Sequence, residues 1–418
     1  MPHVSSEVAR LRRVVVKRPG AALERVQPKH LHAGSPNHLL FDDLVHVPDA
    51  QREHDQLVRV LQTTAQVAVL DDMLEEVLAI ADARTAVIDR VARLEDLPDK
   101  VVNQLQQMAP KELLWALAVG GPASITWMDP LPNLIFTRDL AALCGNVLVV
   151  GNARMRARRR ESILTWALAE HHPWFDGAKI SRHCRWVRAQ GGSFPLTVEG
   201  GDVLVISESL VLIGASERTS WAMIIALSRE LISEGFTRVL VVEMPKQRSS
   251  MHLDTVFTLV DWDTAVVYRP LLQRGSPEEG NVIRLRKSGD EVAVEEWEGD
   301  LLDALAAEGY PMRAVLCGGG DPIHERREQW SDGANYLALS PGVAVGYARN
   351  ARTAAAMSAA GFRVLGSDDF LAEFQRDFGG DYDKLEASRR RYAVHIHGAE
   401  LCRGRGGPRC LTLPLHRG

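Results

Sequence analysis

The strongest constraint on the fold is one order of secondary structure that recurs along the 418-residue chain. Several segments place an apolar strand or hairpin first, an amphipathic helix second and a short apolar strand third. Residues 202–213, 220–234 and 237–242 form one such unit, since the outer stretches are apolar and the middle one has apolar residues at helical spacing. The repetition predicts a mixed α/β chain built from copies of one structural unit.

Four further units follow the same order, although the one near residues 146–186 is weak. The other three are residues 11–16 with 51–64 and 67–70, residues 256–268 with 301–308 and 313–316, and residues 336–347 with 351–360 and 363–365. The sequence therefore predicts about five hairpin-helix-strand units.

A different texture occupies residues 73–119, which are nearly free of glycine and have helical periodicity interrupted at Pro98 and Pro110. We expect a helical insertion here. No low-complexity linker separates it from its flanks, so it should pack against the main body.

Composition narrows the class of partner. The chain is 46% hydrophobic, and its 49 basic and 54 acidic side chains are mixed along the sequence, with a net charge of -5. Such mixing predicts no nucleic-acid partner and no membrane surface, and favours a small-molecule ligand. Residues 1–7 lack an apolar leader, and the most apolar stretch, residues 113–119, is too short to span a bilayer. We therefore expect neither export nor membrane insertion.

Cysteine and histidine usage makes metal and disulfide sites unexpected. Five cysteines are scattered without a Cys-x-x-Cys pair, at Cys144, Cys184, Cys317, Cys402 and Cys410. The fourteen histidines include no His-Glu-x-x-His grouping. The pattern predicts a protein of the reducing cytoplasm with no metal and no cofactor.

The segment Gly404-Arg405-Gly406-Gly407-Pro408-Arg409-Cys410 contains the best candidate for a reactive group. Two arginines and a glycine run predict an electropositive, permissive loop in which the thiolate of Cys410 is favoured over the thiol. The alternative is a buried structural cysteine.

Three other segments place polar residues beside strand-like runs. In the first, Asp139 follows Arg138, and the alternative to a functional role is an exposed salt bridge at the end of a strand. In the second, Glu199-Gly200-Gly201-Asp202 could be a hairpin turn. In the third, period-two alternation in a strand over residues 251–257 would put His252 and Asp254 on one face, although a lone histidine is usually only a satisfied polar group.

Together, these four segments indicate a reaction. Asp139 and Asp254 supply two carboxylates, Glu199 can orient His252, and Cys410 is the nucleophile among them. A cationic substrate with a planar electrophilic carbon suits this set. A guanidinium fits because its forked donors pair bidentately with carboxylates.

The same segments resemble those of arginine deiminases, within the guanidine-modifying superfamily. Asn-x-x-Phe-Thr-Arg-Asp, Glu-Gly-Gly-Asp, His-Leu-Asp-Thr-Val-Phe and Arg-Cys-x-x-x-Pro occur in that order, and residues 40–43, 317–321 and 327–335 match further stretches, so the resemblance runs nearly end to end. It implies an α/β-propeller of five pseudo-symmetric units, with residues 1–418 as one catalytic domain that carries the helical insertion.

The resemblance also implies roles for individual residues. Cys410 would be the nucleophile, His252 the general acid/base and Glu199 its partner, while Asp139 and Asp254 would clamp the guanidinium.

Five further residues would bind or support the substrate. Arg158 and Arg218, nineteen residues after Asp139 and Glu199 respectively, match the family's carboxylate-binding arginines, although each could otherwise lie on a solvated helix face. Arg405 resembles the third substrate arginine and Asn133 the α-amino contact. Asp202 would support the site from the Gly-Gly turn. The remaining thiol in this region, Cys402, is expected to be structural.

The activity implied is conversion of L-arginine to L-citrulline and ammonia through a covalent S-alkylthiouronium on Cys410, in a homo-oligomeric enzyme. Three alternatives remain open: an amidinotransferase, a deiminase of another guanidino acid, and a non-catalytic arginine-binding protein.

Overall fold

The computed structural model describes residues 1–35, 38–122, 126–184, 196–273, 275–276, 278–288 and 291–418. In these ranges the strands are, in chain order, β1 (His3–Val4), β2 (Leu11–Val16), β3 (Gln66–Val69), β4 (Ala141–Cys144), β5 (Val147–Val150), β6 (Lys179–Ile180), β7 (Val203–Ser207), β8 (Leu210–Ala215), β9 (Arg238–Glu243), β10 (Phe257–Asp261), β11 (Thr264–Val267), β12 (Asn281–Ser288), β13 (Glu291–Glu296), β14 (Arg313–Leu316), β15 (Leu337–Ser340), β16 (Val343–Tyr347), β17 (Arg363–Gly366), β18 (Tyr392–Ile396) and β19 (Thr412–Arg417).

The α-helices of the same ranges are α1 (Ala21–Glu24), α2 (Val47–Leu61), α3 (Leu70–Leu78), α4 (Ala81–Glu95), α5 (Asp99–Gln107), α6 (Pro110–Val119), α7 (Thr137–Leu140), α8 (Arg159–His171), α9 (Trp221–Ser233), α10 (Arg269–Leu272), α11 (Leu301–Ala307), α12 (Pro322–Trp330), α13 (Ala351–Ala359), α14 (Ser367–Phe378) and α15 (Tyr382–Ala387). Local signals fix several starts. Ser220 accepts a hydrogen bond from the amide of Met223 at the start of α9, and Asp300 accepts two from the first turn of α11.

The strands of the described residues form five sheets that share one pattern, an antiparallel pair followed by a parallel third strand. In one of them β7 pairs with β8, and β9 runs parallel to β8 after α9. The sets β4–β5–β6 and β10–β11–β14 repeat this arrangement. The prediction of five α/β units is confirmed. Residues 185 and 186 of the weak unit lie outside the described part of the chain.

The first sheet joins distant parts of the sequence. Strand β2 pairs in antiparallel register with β19, for example Val16 with Thr412, and in parallel register with β3. The antiparallel partner that residues 11–16 lacked in the local sequence is therefore supplied by residues 412–417. As a result, the segment that carries Cys410 leads directly into a strand that the first sheet holds.

Two sheets depart from the sequence prediction. Strand β18 lies between β16 and β17, so the strand predicted at residues 363–365 exists but occupies the edge. The sequence Tyr-Ala-Val-His-Ile of β18 is more apolar than Arg-Val-Leu-Gly of β17, which suits the central position, where all five residues of β18 are buried while β17 is partly exposed. The charged segment after residue 280 forms the hairpin β12–β13, which extends the β7–β8–β9 sheet through pairing of β12 with β9.

Helices α3 to α6 cover most of the predicted insertion, beginning at Leu70 rather than residue 73. Their buried side chains, such as Leu74, Val87 and Leu117, join the same apolar core as β4, β5 and β7. Helix α6 ends at Val119 and is capped by Gly120, whose φ of 87° suits glycine. The treatment of residues 1–418 as one domain with an insertion at 73–119 stays a prediction. In the ranges given above, no helix is both long and apolar enough to cross a bilayer.

One buried histidine predicts acid sensitivity of the fold. His54 on α2 is 1% exposed, and neither of its ring nitrogens has a hydrogen-bond partner among the described residues. Burial lowers its pKa from 6.5 to about 4. Its contribution to stability is therefore present above about pH 6.5 and is lost as the pH falls toward 4.

We expect His54→Leu to flatten this acid loss, by roughly 2–3 kcal/mol between pH 7 and pH 4. Denaturant unfolding at both pH values measures the effect. His32→Leu, at an exposed position, is the control and should retain the wild-type pH dependence. An equal acid loss in wild type and His54→Leu would contradict the assignment.

Candidate active site

The backbone of Cys410 is fixed from both sides. Its amide donates to Oδ1 of Asn335 at 3.1 Å, and its carbonyl accepts from the amide of Arg138 at 3.1 Å. The sulfur lies 3.6 Å from Oδ2 of Asp254. Cys410 is 3% exposed, so the thiol lies inside the molecule beside a carboxylate.

Close packing explains the glycine run before Cys410. A Cβ on Gly406 would come within 2.3 Å of the Phe136 ring, and one on Gly407 within 2.7 Å of the side chain of Asn335. The hydroxyl of Tyr347 donates to the Gly406 carbonyl at 2.8 Å. Glycine is therefore required by contact with neighbouring side chains.

His252 lies between two carboxylates. Its Nε2 is 2.9 Å from Oε2 of Glu199, and its Nδ1 is 3.6 Å from Oδ1 of Asp139. The predicted strand over residues 251–257 is wrong, since Leu253–Thr255 is a 3₁₀ turn and the strand begins at Phe257. The turn, rather than strand alternation, brings His252 and Asp254 into the site.

Asp202 supports this arrangement from the Gly-Gly turn. Its Oδ1 accepts from the amide of Leu253 at 2.9 Å, and its Oδ2 accepts from the hydroxyls of Ser216 and Thr219 at 2.6 Å each. One buried carboxylate thus ties the segment after His252 to the loop that contains Arg218. Burial raises the pKa of Asp202 to about 6, against the lowering effect of His252 and these hydrogen bonds.

The two predicted carboxylate-binding arginines contact the carboxylates of the site. Nη1 of Arg158 donates to Oδ2 of Asp139 at 2.5 Å and to Oε2 of Glu199 at 3.2 Å, and its Nε donates to Glu161 at 2.9 Å. Nη1 of Arg218 lies 3.6 Å from Oε1 of Glu199. Arg158 and Arg218 are 3% and 1% exposed, so neither lies on a solvated helix face.

Arg405 and Asn133 both donate hydrogen bonds to backbone carbonyls. The guanidinium of Arg405 stacks 3.7 Å over the Trp330 ring and donates from Nη2 to the Ser249 carbonyl at 3.2 Å. Asn133 donates from Nδ2 to the Leu39 carbonyl at 2.8 Å. Both side chains are buried.

These groups surround a narrow cavity of about 10 Å³, close to the space that one water needs. Its lining residues are Leu40, Asn133, Phe136, Asp139, Arg158, Arg218, Arg248, Met251, His252, Gly404, Arg405 and Cys410. Sequence reasoning missed Leu40, Phe136, Arg248, Met251 and Gly404 as lining residues. Leu40 has a φ of 65°, unusual for leucine, and accepts a hydrogen bond from Arg248; neither feature leaves a signal in the sequence.

The surrounding charges favour the ionised forms of both His252 and Glu199. Burial opposes ionisation of Glu199, but Arg218, Arg158 and His252 together hold its pKa well below the usual range. Burial also opposes the charged form of His252, but Asp139, Glu199 and Asp202 raise its pKa to about 9. At neutral pH the site therefore contains a protonated imidazole beside an ionised carboxylate.

The expectation that the loop favours a thiolate is wrong for the free site. Burial first, and then Asp254 and Asp139, raise the pKa of the Cys410 thiol well above its usual value, and Arg409 opposes them only weakly. The charge of Arg409 is matched by Glu7 and Asp254. A bound cation would therefore have to supply the positive charge that stabilises the thiolate, because the loop arginines do not supply it.

Asp139, Glu199 and His252 are the one group of the described residues whose side chains lie close enough to hold a metal ion. Arg158 and Arg218 already lie against these carboxylates. These two guanidinium groups compensate the negative charge of the carboxylates, so the three side chains are not a free ligand set for a metal cation.

The buried carboxylate of Asp332, near Arg405, leads to a prediction about stability. Asp332 is 1% exposed, and neither carboxylate oxygen has a hydrogen-bond partner among the described residues. Burial raises its pKa to about 7, although Arg405 lowers it. Relative to an unfolded value near 3.8, the cost of ionising Asp332 grows as the pH rises from about 4 to 7.

Asp332→Asn should stabilise the protein by roughly 1–3 kcal/mol at pH 8, and the gain should vanish near pH 4. Asparagine tolerates the left-handed φ of 62° at this position. Asp96, also left-handed but exposed, gives the matched control, and Asp96→Asn should change stability by less than about 0.5 kcal/mol. Chemical denaturation at the two pH values tests both variants, and a destabilised Asp332→Asn at pH 8 would refute the prediction.

Comparison with known proteins identifies the family of this chain. The family model for arginine deiminase matches residues 37–115 and 122–417. Arginine deiminase of Rhodococcus erythropolis strain PR4 is 36% identical over an alignment of 440 positions, which covers 99% of this chain and 97% of the relative. The chain belongs to the arginine deiminase family. Arginine deiminase of Listeria monocytogenes serotype 4a is 32% identical over 444 residues, with 99% and 97% coverage.

The fold of this arginine deiminase family member extends to solved structures of lower identity. SxtG, an amidinotransferase from Microseira wollei in the saxitoxin biosynthetic pathway, superposes with a TM-score of 0.55 at 12% identity. The match covers 100% of this chain and 97% of SxtG. At this identity the likeness concerns the α/β fold alone, which agrees with the five-sheet organisation.

Proposed function

We propose that this protein hydrolyses free L-arginine to L-citrulline and ammonia through a covalent intermediate on Cys410. The strongest support is the composition of one buried cavity. Its lining includes the thiol of Cys410, the protonated imidazole of His252 and the carboxylate of Asp139. Membership of the arginine deiminase family supports the same reaction. We assign the activity of these relatives to this chain because it belongs to the same family.

In this proposal a substrate guanidinium lies between Asp139 and Asp254. Oδ1 of each carboxylate lacks a hydrogen-bond partner among the described residues, so each has an oxygen to offer the forked donors. The guanidinium carbon would face Sγ of Cys410, which is already 3.6 Å from Asp254. A planar cation held in this way fixes the electrophilic carbon in front of the sulfur.

The bound cation would also solve the problem of the raised thiol pKa. Asp254 and Asp139 disfavour the Cys410 thiolate in the free site, but a guanidinium between them neutralises that negative field. The thiol then loses its proton to solvent, and the thiolate attacks the guanidinium carbon. Until a cation binds, the thiol stays protonated and weakly nucleophilic.

His252 would serve both halves of the reaction. As the imidazolium, it donates its proton to the departing nitrogen, so that ammonia leaves and an S-alkylthiouronium remains on Cys410. The resulting neutral imidazole then takes a proton from the attacking water. Collapse of the second adduct breaks the carbon–sulfur bond and yields the ureido product. Glu199, at 2.9 Å from Nε2, holds the ring throughout.

Arginine binding requires side chains to move. The cavity is far smaller than the substrate, and Arg158 occupies Oδ2 of Asp139. We infer that Arg158 turns from Asp139 to the substrate α-carboxylate, joined by Arg218 and Arg405. Asn133 would contact the α-amino group. Three arginines around one small ligand favour a free amino acid, because its carboxylate offsets their burial.

The deciding experiment incubates the purified protein with L-arginine and follows citrulline and ammonia. Equal amounts of both products are expected. Agmatine, which lacks the α-carboxylate, should have a kcat/KM lower by about 100-fold or more. Arginine recovered unchanged after prolonged incubation would instead favour a non-catalytic binding protein.

An amidinotransferase remains the second candidate, because SxtG shares the fold. Such an enzyme would pass the amidino group from Cys410 to an acceptor amine. It would form ornithine rather than citrulline and would require the acceptor. Supplying glycine or lysine with L-arginine, and measuring ornithine, separates the two reactions.

Three further properties are also proposals: a single-domain organisation, a homo-oligomeric state and a cytoplasmic location. Size-exclusion chromatography would test the oligomeric state, and cell fractionation would test the location.

A further inference from the structure

A buried carboxylate from the beginning of the chain reaches the residue next to the nucleophile. Glu7 accepts from Nε and Nη2 of Arg409 at 3.0 Å each, across 402 residues of sequence. Arg409 also donates from Nη2 to the Val203 carbonyl at 2.9 Å. Glu7 and Arg409 are 6% and 1% exposed. This pair lies wholly inside the protein and outside the lining of the cavity.

The remaining nitrogen of Arg409 continues the chain of contacts to the reacting sulfur. Nη1 donates to Oδ2 of Asp254 at 2.7 Å, the same oxygen that lies 3.6 Å from Sγ of Cys410. Oδ1 of Asp254 has no hydrogen-bond partner in the described ranges. The orientation of Arg409 thus decides which Asp254 oxygen is left for a ligand.

Charge strengthens the dependence on Glu7. This carboxylate faces three buried arginines, Arg409, Arg138 and Arg417; burial opposes its ionisation, but they lower its pKa to about 2. Cys410 in turn faces Asp254, Asp139 and Asp332 as well as Arg409. An ionised Glu7 therefore balances part of the Arg409 charge that would otherwise act on Asp254 and Cys410.

We propose that Glu7 is a positioning residue for the reaction at Cys410, because it holds Arg409 on Oδ2 of Asp254 and leaves Oδ1 for the substrate guanidinium. The second half of this statement rests on the proposed function. The first half concerns the free protein and does not.

The proposal predicts two effects of Glu7→Gln, a substitution that removes the charge and keeps the size: weaker binding of arginine and a more acidic thiol. Arg409, no longer held by the Glu7 charge, can turn toward both oxygens of Asp254 and compete with the substrate for Oδ1, so the KM for L-arginine should rise about tenfold, equivalent to 1.4 kcal/mol. The unbalanced Arg409 charge should also lower the pKa of the Cys410 thiol in the free protein, by about one unit. A purely structural defect would not make the thiol more acidic.

The test measures the rate of iodoacetamide alkylation of the Cys410 peptide against pH, without arginine, alongside steady-state turnover. Glu373→Gln is the matched control, since Glu373 is a buried carboxylate that accepts from Arg363 at 2.7 Å, away from the site. That variant should keep the wild-type alkylation profile and KM. Glu7→Asp, which retains the charge, should restore the wild-type alkylation profile.

An alkylation profile of Glu7→Gln that is unchanged, or shifted to higher pH, would overturn the proposal, as would an unchanged KM. If Glu7→Gln does not fold, Arg409→Lys decides: its charge is kept and its fork is lost, so KM should rise while the thiol pKa stays near wild type. An unchanged KM in that variant would equally overturn it. If wild type forms no citrulline, the proposed function fails, and the alkylation profile alone tests the link between Glu7 and Cys410.

Discussion

Replacing Cys410 by serine is expected to lower kcat for citrulline formation by about 10⁴-fold or more. The serine hydroxyl is not ionised by a bound guanidinium and is a weaker nucleophile than a thiolate. Citrulline and ammonia measured over hours with concentrated enzyme give the residual rate. Wild type quenched during turnover should carry the mass of the thiouronium adduct on the peptide that contains Cys410.

Cys402 supplies the control for this experiment. It is buried eight residues before Cys410 and contacts Arg349, and burial raises its pKa to about 12. Cys402→Ser should retain turnover, and the adduct should be missing from its peptide. Loss of turnover in a folded Cys402→Ser variant, or an active Cys410→Ser variant, would exclude the assignment of Cys410 as the nucleophile.

Replacing His252 by glutamine should lower kcat by about 10²–10⁴-fold, because both half-reactions lose their proton carrier. The effect also has a pH signature. The His252 pKa is raised to about 9, so wild-type activity that needs the imidazolium should fall as the pH rises through 9. The glutamine variant should lack that decline.

The matched control is His395→Gln, at a buried histidine that contacts the Tyr336 hydroxyl at 2.8 Å and does not line the cavity. Its kcat should stay near wild type. Profiles of kcat/KM against pH for the three proteins, which report ionisations of the free enzyme, make the comparison. A His252→Gln variant that keeps the alkaline decline would assign that decline to another group.

Much of the fold could be predicted because local periodicity survives in the structure. The apolar runs at β7 and β8 and the capped helix α9 are readable in one stretch of sequence. The place of β18 between β16 and β17 was not readable, because two short apolar strands that follow β16 can each pair with it and the local sequence does not rank them. Sheet order is a tertiary property that propensity does not encode.

The site divides in the same way. Residue types and their order along the chain were enough to bring together Cys410, His252, Glu199 and Asp139, which the structure places within one buried cluster. The charge on the thiol was predicted wrongly. Arg409 precedes Cys410 in sequence, but its guanidinium is committed to Glu7, 402 residues away, and no local pattern could reveal that partner.

The pairing of β19 with β2 has a consequence for biosynthesis. Strand β2 is synthesised long before β19, so the first sheet stays incomplete, and the segment of Cys410 has no anchored strand after it, until residues 412–417 have been added. We therefore expect polypeptides that stop before this strand to lack the buried cavity beside Cys410.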